Sequence, residues 1–108
     1  MGSEYQEQKA VFEWAELMKG KHPQLEWMYA IPNGQYRKGQ RPEAGMKPGV
    51  PDICLPPFLY IELKSGKNKP TENQKRWIEG LKNTGCIAKV CYSADEAIEL
   101  IKNYLGGL

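Results

Sequence analysis

Residues 50–64 read VPDICLPPFLYIELK, an alternating pattern typical of two β-strands joined at a Pro-Pro turn. Successive side chains of a strand point to opposite faces, so a hairpin would place one set of aliphatic residues together. That set is Ile53, Leu55, Leu59, Ile61 and Leu63. The opposite face would carry Asp52, Glu62 and Lys64, three charges that an apolar core does not accept without compensation.

The charged face has a chemical interpretation. A hairpin centred on residue 57 places Asp52 opposite Glu62, with Cβ atoms about 4.5–5.5 Å apart. Two carboxylates at that distance repel each other, but together they offer the oxygen ligands that Mg²⁺ or Mn²⁺ prefers. Lys64 follows on the same face and can orient or polarise a water molecule beside the metal. The pattern indicates a site that hydrolyses phosphodiesters, with a surface ion pair between Lys64 and one acid as the alternative.

Length and composition limit the remaining possibilities. A chain of 108 residues fits one domain, so we expect a single domain over 1–108, in which residues 1–3 (Met-Gly-Ser) are typical of an expression-vector remnant. There is no apolar run near the roughly 20 residues that cross a bilayer, and no signal peptide, so we expect a cytoplasmic protein without membrane contact. The three cysteines and one histidine match no common zinc pattern and no convincing Ser-His or Cys-His nucleophile.

The periodicity predicts alternating helices and strands. Besides the two strands at 50–55 and 58–64, we expect helices at 4–19, 72–83 and 94–105, and strands at 26–31 and 86–92. Thr71 is the expected cap of the second helix, whose apolar side would carry Trp77, Ile78 and Leu81. The order α-β-β-β-α-β-α argues for an α/β domain with a small mixed sheet flanked by helices.

Several segments also resemble a known family. Pro51-Asp52 followed by Glu62-Leu63-Lys64 resembles the PD-(D/E)XK signature of the restriction-endonuclease-like superfamily. The surrounding segments YAIPNG, AGMKPGVPD and LYIELK, together with Gln74 and the helix containing Trp77, resemble the VRR-NUC family (virus-type replication-repair nucleases) in its small stand-alone phage form. The likeness extends from about Glu4 to Leu105, and it implies a restriction-endonuclease-like core.

The resemblance implies a role for each matching residue. Asp52 and Glu62 match the metal-binding acids of the family, and the backbone carbonyl of Leu63 matches a frequent further ligand. Lys64 matches the catalytic lysine. Gln74 matches a glutamine near the site and is predicted to take part in catalysis, with a solvated helix residue as the alternative.

In this superfamily the first helix often contributes another acid to the metal. Glu4 and Glu7 are competing candidates here, although helical phase sets Glu7 or the neighbouring Gln8 nearer to the core. A solvated acid at the N-terminus of the helix is the alternative for either glutamate.

Basic residues flank the predicted site on both sides in sequence. A loop rich in glycine and proline at 33–49 precedes Asp52, and a basic segment follows Lys64. The candidate phosphate contacts are Arg37, Lys38, Arg41, Lys47, Lys67, Lys69, Lys75 and Arg76. Tyr36 is a candidate for stacking on an unpaired base. The alternative is a solubilising loop followed by a charged helix face.

Together these observations predict an endonuclease that uses Mg²⁺ or Mn²⁺ and an activated water to hydrolyse DNA. Domains of the VRR-NUC family resemble junction resolvases, which implies branched DNA as substrate and a homodimer that supplies two sites. The likeness to the phage form implies a bacterial host cell as location if the chain is of phage or prophage origin. The alternatives are a catalytically weak module that binds DNA structures, and a sequence-specific restriction endonuclease. The latter would need an added recognition segment.

Overall fold

The computed structural model of the protein describes residues 3–32 and 44–106. Within them it contains three α-helices, α1 (Glu4–Met18), α2 (Glu72–Asn83) and α3 (Ala94–Gly106), and a 3₁₀ helix at Pro23–Trp27. The strands are β1 (Tyr29–Ala30), β2 (Ile53–Leu55), β3 (Leu59–Leu63) and β4 (Ile87–Cys91). The predicted α/β class and the predicted order of elements are confirmed. No helix in these ranges is long and apolar enough to cross a membrane.

The strands form one mixed sheet in the order β1-β2-β3-β4. The β1-β2 and β2-β3 pairs are antiparallel, whereas β3 and β4 are parallel and α2 provides the crossover that parallel neighbours require. Ile53 pairs with Ile61, and Leu55 pairs with Leu59. This register confirms the predicted hairpin centred on residue 57.

The hydrophobic core lies between the sheet and the helices α1 and α3. All five aliphatic residues of the predicted hairpin face are at most 1% exposed. They pack in one cluster with residues of the two helices, among them Val11, Ala15, Ala97 and Ile101. Complete burial of an aliphatic side chain contributes about 1.5–3 kcal/mol, so this face fixes the sheet against the helices. The helix α2 packs against β4 instead.

All four strand predictions were too long, two of them by only one residue at each end and two by more. Residues 26–31 were predicted as a strand, but the 3₁₀ helix takes the first part of that segment and leaves only Tyr29–Ala30 in β1. Pro23 fixes the φ angle at the start of the 3₁₀ turn, and Leu25 within it is buried in the core. The strand β2 begins at Ile53 rather than at 50, since Pro51 has no N–H to donate to a ladder.

The apolar side of α2 is narrower than predicted. Of the three expected residues, Ile78 is buried, but Trp77 and Leu81 are only half-buried. The helix ends are as predicted, because Thr71 caps the N-terminus and the segment closes at Asn83. Trp77 therefore leaves part of its ring outside the core.

Gly49 brings the chain segment before Asp52 into contact with α2. Its φ is +88°, and a Cβ at this position would lie 2.8 Å from the carbonyl carbon of Asn73. Gly45 has a similar φ of +85° but open space around it. Only a residue without a side chain satisfies both requirements at Gly49.

We expect Gly49→Ala to lower the free energy of unfolding by at least about 2 kcal/mol, because left-handed backbone costs roughly 1–2 kcal/mol and the contact with Asn73 adds to it. Gly45→Ala is the matched control, since it changes the same backbone conformation without a clash. Urea unfolding of both variants measures the difference. Equal losses would show that the Asn73 contact relaxes at no cost.

Candidate active site

Asp52 is held by three backbone interactions at the end of β2. Its N–H donates to the carbonyl of Ile61 (2.9 Å), and its carbonyl accepts from the N–H of Ile31 (2.8 Å). Its Oδ2 accepts a hydrogen bond of 2.7 Å from the N–H of Leu63. The carboxylate of Asp52 thus links the two hairpin strands beyond the last regular pair. Main-chain groups of β3 on one side and of Ile31 on the other fix its position.

Glu62 is a buried carboxyl group beside Asp52. Its side chain is 1% exposed, and its Oε1 has no hydrogen-bond partner among the described residues. Burial, the charge of Asp52 and a side-chain hydrogen bond to Asp52 raise the pKa of Glu62 to about 8, although Lys64 acts in the opposite direction. The group therefore holds a proton at neutral pH in the metal-free protein.

Lys64 brings a positive charge to the carboxylates. Its Nζ lies 3.7 Å from Oε2 of Glu62, and its side chain is 9% exposed. Its N–H donates to the carbonyl of Cys91 in β4, which extends the parallel pairing past the end of β3. The ion pair named as the alternative is present, but both of its partners are buried, so the sheet face that carries it is not a solvated one.

The acid pair fits a divalent cation that prefers oxygen ligands. In the ranges 3–32 and 44–106, no group of three or more His, Cys, Asp and Glu side chains is close enough to hold a metal. Mg²⁺, however, commonly binds through one or two carboxylates and keeps several waters. Such a cation would give the unpartnered Oε1 of Glu62 a partner, and it would offset the repulsion that arises when Glu62 ionises beside Asp52. The role of the Leu63 carbonyl stays a prediction.

The two candidate acids of α1 occupy different surroundings. Oε2 of Glu7 accepts a 3.1 Å hydrogen bond from the N–H of Ala94 at the start of α3. The charge of Glu4 raises the pKa of Glu62, and its Oε2 accepts a 3.2 Å hydrogen bond from the side chain of Asn68. Asn68 was not singled out from the sequence, because an asparagine in a Gly-Lys-Asn segment is typical of a turn. The charge of Glu4 therefore reaches Glu62, whereas the metal-binding role of either acid stays a prediction.

Gln74 forms the capping box of α2. Its N–H donates to Oγ1 of Thr71 (3.1 Å), and its Oε1 accepts from the N–H of Thr71 (2.9 Å). This arrangement satisfies two backbone donors at the helix N-terminus and explains a glutamine at this position without catalysis. The predicted part of Gln74 in catalysis stays a prediction.

The predicted DNA-binding residues are only partly described. Tyr36, Arg37, Lys38 and Arg41 lie outside the described residues. Lys67 and Lys69 are exposed in the segment after β3, and Lys75 forms an exposed ion pair with Glu72 at 3.3 Å. Lys47 and Arg76, from opposite sides of the acid pair in sequence, line one cavity beside Trp77.

Comparison with known proteins identifies a family and a similar fold. The sequence model of the VRR-NUC domain family matches residues 2–95. A solved structure described as a VRR_NUC domain protein is 27% identical in sequence, with a TM-score of 0.80, over 97% of this chain and 89% of that one. No curated protein matches the chain.

Proposed function

Because the chain belongs to the VRR-NUC family of DNA-processing nucleases, we propose that it is a Mg²⁺- or Mn²⁺-dependent endonuclease whose active site is Asp52, Glu62 and Lys64. The observation that carries this proposal is the buried Oε1 of Glu62, which has no partner among the described residues and lies in a carboxyl group facing Asp52. Such an arrangement costs stability in the metal-free protein and gains a ligand when a divalent cation binds.

The chain's own residues would share the work as follows. Asp52, Glu62 and the carbonyl of Leu63 would hold the cation, and Glu4 would act on the site only through its charge, since no three acidic side chains of the described residues are close enough to share one metal. When bound, the cation supplies Lewis acidity and neutralises negative charge on the scissile phosphate. Glu62 would have to be ionised to serve as a ligand, and its burial beside Asp52, which raises its pKa to about 8, opposes that ionisation in the metal-free protein.

Lys64 would position and polarise the attacking water, since its Nζ is fixed 3.7 Å from Glu62. The water oxygen bonds to phosphorus as the bond from phosphorus to the leaving oxygen breaks, and a proton from the water ends on the leaving hydroxyl. No enzyme nucleophile is needed. The products are one phosphate monoester end and one hydroxyl end.

The substrate within this proposal is branched DNA, and the acting species is a homodimer. Junction resolvases, which domains of the VRR-NUC family resemble, cut two strands, whereas one chain carries one Asp52-Glu62 pair. A symmetric dimer would supply the second site. A module that only binds DNA would gain nothing from a buried acid pair that repels phosphate, which argues against the noncatalytic alternative.

Cleavage should require Mg²⁺ or Mn²⁺, whereas Ca²⁺ should support binding with little or no turnover. The assay incubates the protein with linear duplex, flap and four-way-junction DNA in each metal and in EDTA. We expect the junction to be cut fastest. Full activity in excess EDTA would overturn the metal mechanism, and equal rates on duplex and junction would overturn the structure selectivity. Sedimentation of the active species checks for the dimer.

A further inference from the structure

A groove runs along both sides of Trp77 on α2. One cavity, of about 320 Å³, is lined by Lys47, Arg76, Trp77, Gly80, Leu81 and Thr84. A second, of about 430 Å³, also contacts Lys47 and Trp77, and Ile31, Met46 and Val50 contribute to its wall. Because Lys47 and Trp77 belong to both cavities, the two are adjacent. We call them together the Trp77 groove.

The groove combines a ring with positive charge. Nζ of Lys47 lies 6.0 Å from the centroid of the Trp77 ring, and Arg76 is the neighbouring exposed residue on the helix. Among residues 3–32 and 44–106, neither Lys47 nor Arg76 has an ion-pair partner, in contrast to Lys75 on the same helix. An aromatic face with two such cations matches a ligand that has a flat ring and an anionic group.

The Trp77 groove adjoins the candidate active site through backbone. Ile31 lines the second cavity and donates its N–H to the carbonyl of Asp52 (2.8 Å). Val50 lies two residues before Asp52, and Gly49 contacts Asn73 in the first turn of α2. A ligand in the groove therefore lies along the chain segment that leads to the acid pair.

We propose that the Trp77 groove binds an unpaired nucleotide of the DNA substrate, with the base stacked on Trp77 and the phosphate held by Lys47 and Arg76. This inference rests on the proposed function, because it concerns the same DNA. The smaller cavity is at the lower end of the volumes that hold small ligands, which is the size range of one nucleotide. Every base has a stacking face, so the groove should tolerate any sequence.

Gly80 allows a test that leaves the ring and the charges in place. A Cβ at Gly80 meets no atom within 4 Å, so Gly80→Leu can place its side chain in the cavity without a clash. Leucine also favours a helix more than glycine does, so we expect α2 to stay folded. Gly80→Ala is the matched control, because it makes the same backbone change without filling the cavity.

The measurement is the affinity of each variant for a single-stranded oligothymidylate of twelve nucleotides and for a blunt duplex, each in Ca²⁺ to limit cleavage. Stacking contributes about 1–3 kcal/mol per base, so Gly80→Leu and Trp77→Leu should bind the single strand roughly 5- to 150-fold more weakly. Their affinity for the duplex should change less than about twofold. Trp27→Leu, at an exposed tryptophan outside the groove, and Gly80→Ala should bind both DNAs like the original protein.

Three results would overturn the proposal. The first is a Gly80→Leu variant that binds the single strand as tightly as the wild type does, and the second is an equal loss of affinity for single strand and duplex. The third is a wild-type protein that does not bind the oligothymidylate. Binding of thymidine monophosphate as tightly as the oligomer would reassign the groove to free nucleotides and overturn the DNA role. Thermal unfolding checks that each variant is folded. If Trp77→Leu is not folded, the result for Gly80→Leu alone decides the test. Metal-dependent cutting that persists while the groove test fails leaves the proposed function standing. If the wild-type protein binds single strands selectively but does not cleave DNA, only the nuclease proposal is overturned.

Discussion

Asp52→Asn and Lys64→Met should each reduce the rate of DNA cleavage by at least about 100-fold, because the first removes the charge of a proposed metal ligand and the second removes the group that polarises the attacking water. Asparagine keeps an oxygen that can accept from the N–H of Leu63, so the hairpin should persist, but it removes the negative charge that a cation needs. Methionine keeps the length of the buried lysine side chain and removes only the ammonium group.

Single-turnover cleavage of a four-way junction in Mg²⁺ measures both effects, and binding in Ca²⁺ shows whether the DNA is still held. Lys67→Met is the matched control for Lys64, because Lys67 is an exposed lysine three residues further along the chain. We expect that control to cut within about threefold of the original rate, since one exposed phosphate contact affects binding more than chemistry. Undiminished cleavage by both site variants would remove Asp52 and Lys64 from the active site.

Glu62→Gln should stabilise the metal-free protein by about 2–4 kcal/mol at pH 8.5 and have little effect at pH 5. Burial raises the pKa of Glu62 from 4.5 to about 8 in the folded protein. Between those pH values the folded chain keeps a proton that the unfolded chain has released, so the free energy of unfolding falls as pH rises. Above about pH 8 the side chain is ionised in the folded protein as well, and the free energy of unfolding does not fall further. Glutamine never ionises and avoids the loss.

Urea unfolding in EDTA at pH 5, 7 and 8.5 measures this dependence. Glu13→Gln serves as the control, because Glu13 is exposed on α1 and should change the pH profile little. Added Mg²⁺ should stabilise the original protein most at high pH and should stabilise Glu62→Gln much less. A pH profile of Glu62→Gln that matches the original protein would show that Glu62 is not the strained carboxyl group.

The hairpin and its acid pair could be predicted because they depend on local rules. A period of two and the Pro-Pro turn fix the register, and this register alone brings Asp52 and Glu62 to one end of the sheet. The bounds of α2 followed from Thr71 in the same way. These features need no knowledge of how the elements pack.

The remaining features depend on tertiary packing. The different partners of Glu4 and Glu7 depend on how α1 lies against α3 and the segment after β3, which helical phase alone does not show. The groove at Trp77 depends on the approach of Gly49 to α2. Periodicity does not show how closely two elements approach each other. Trp77 was therefore assigned to the core, like any apolar residue on that side of the helix.

The hydrogen bond between Leu63 and Asp52 explains an asymmetry in the motif itself. The PD-(D/E)XK signature fixes its first acid as aspartate but accepts either acid at the second position. Oδ2 of Asp52 must reach a backbone N–H at 2.7 Å, and a glutamate, longer by one methylene group, would misplace that oxygen. Glu62 has an Oε1 with no such partner in the described chain, so side-chain length is less constrained there. In this chain, therefore, the main chain constrains the side-chain length at position 52 more tightly than at position 62.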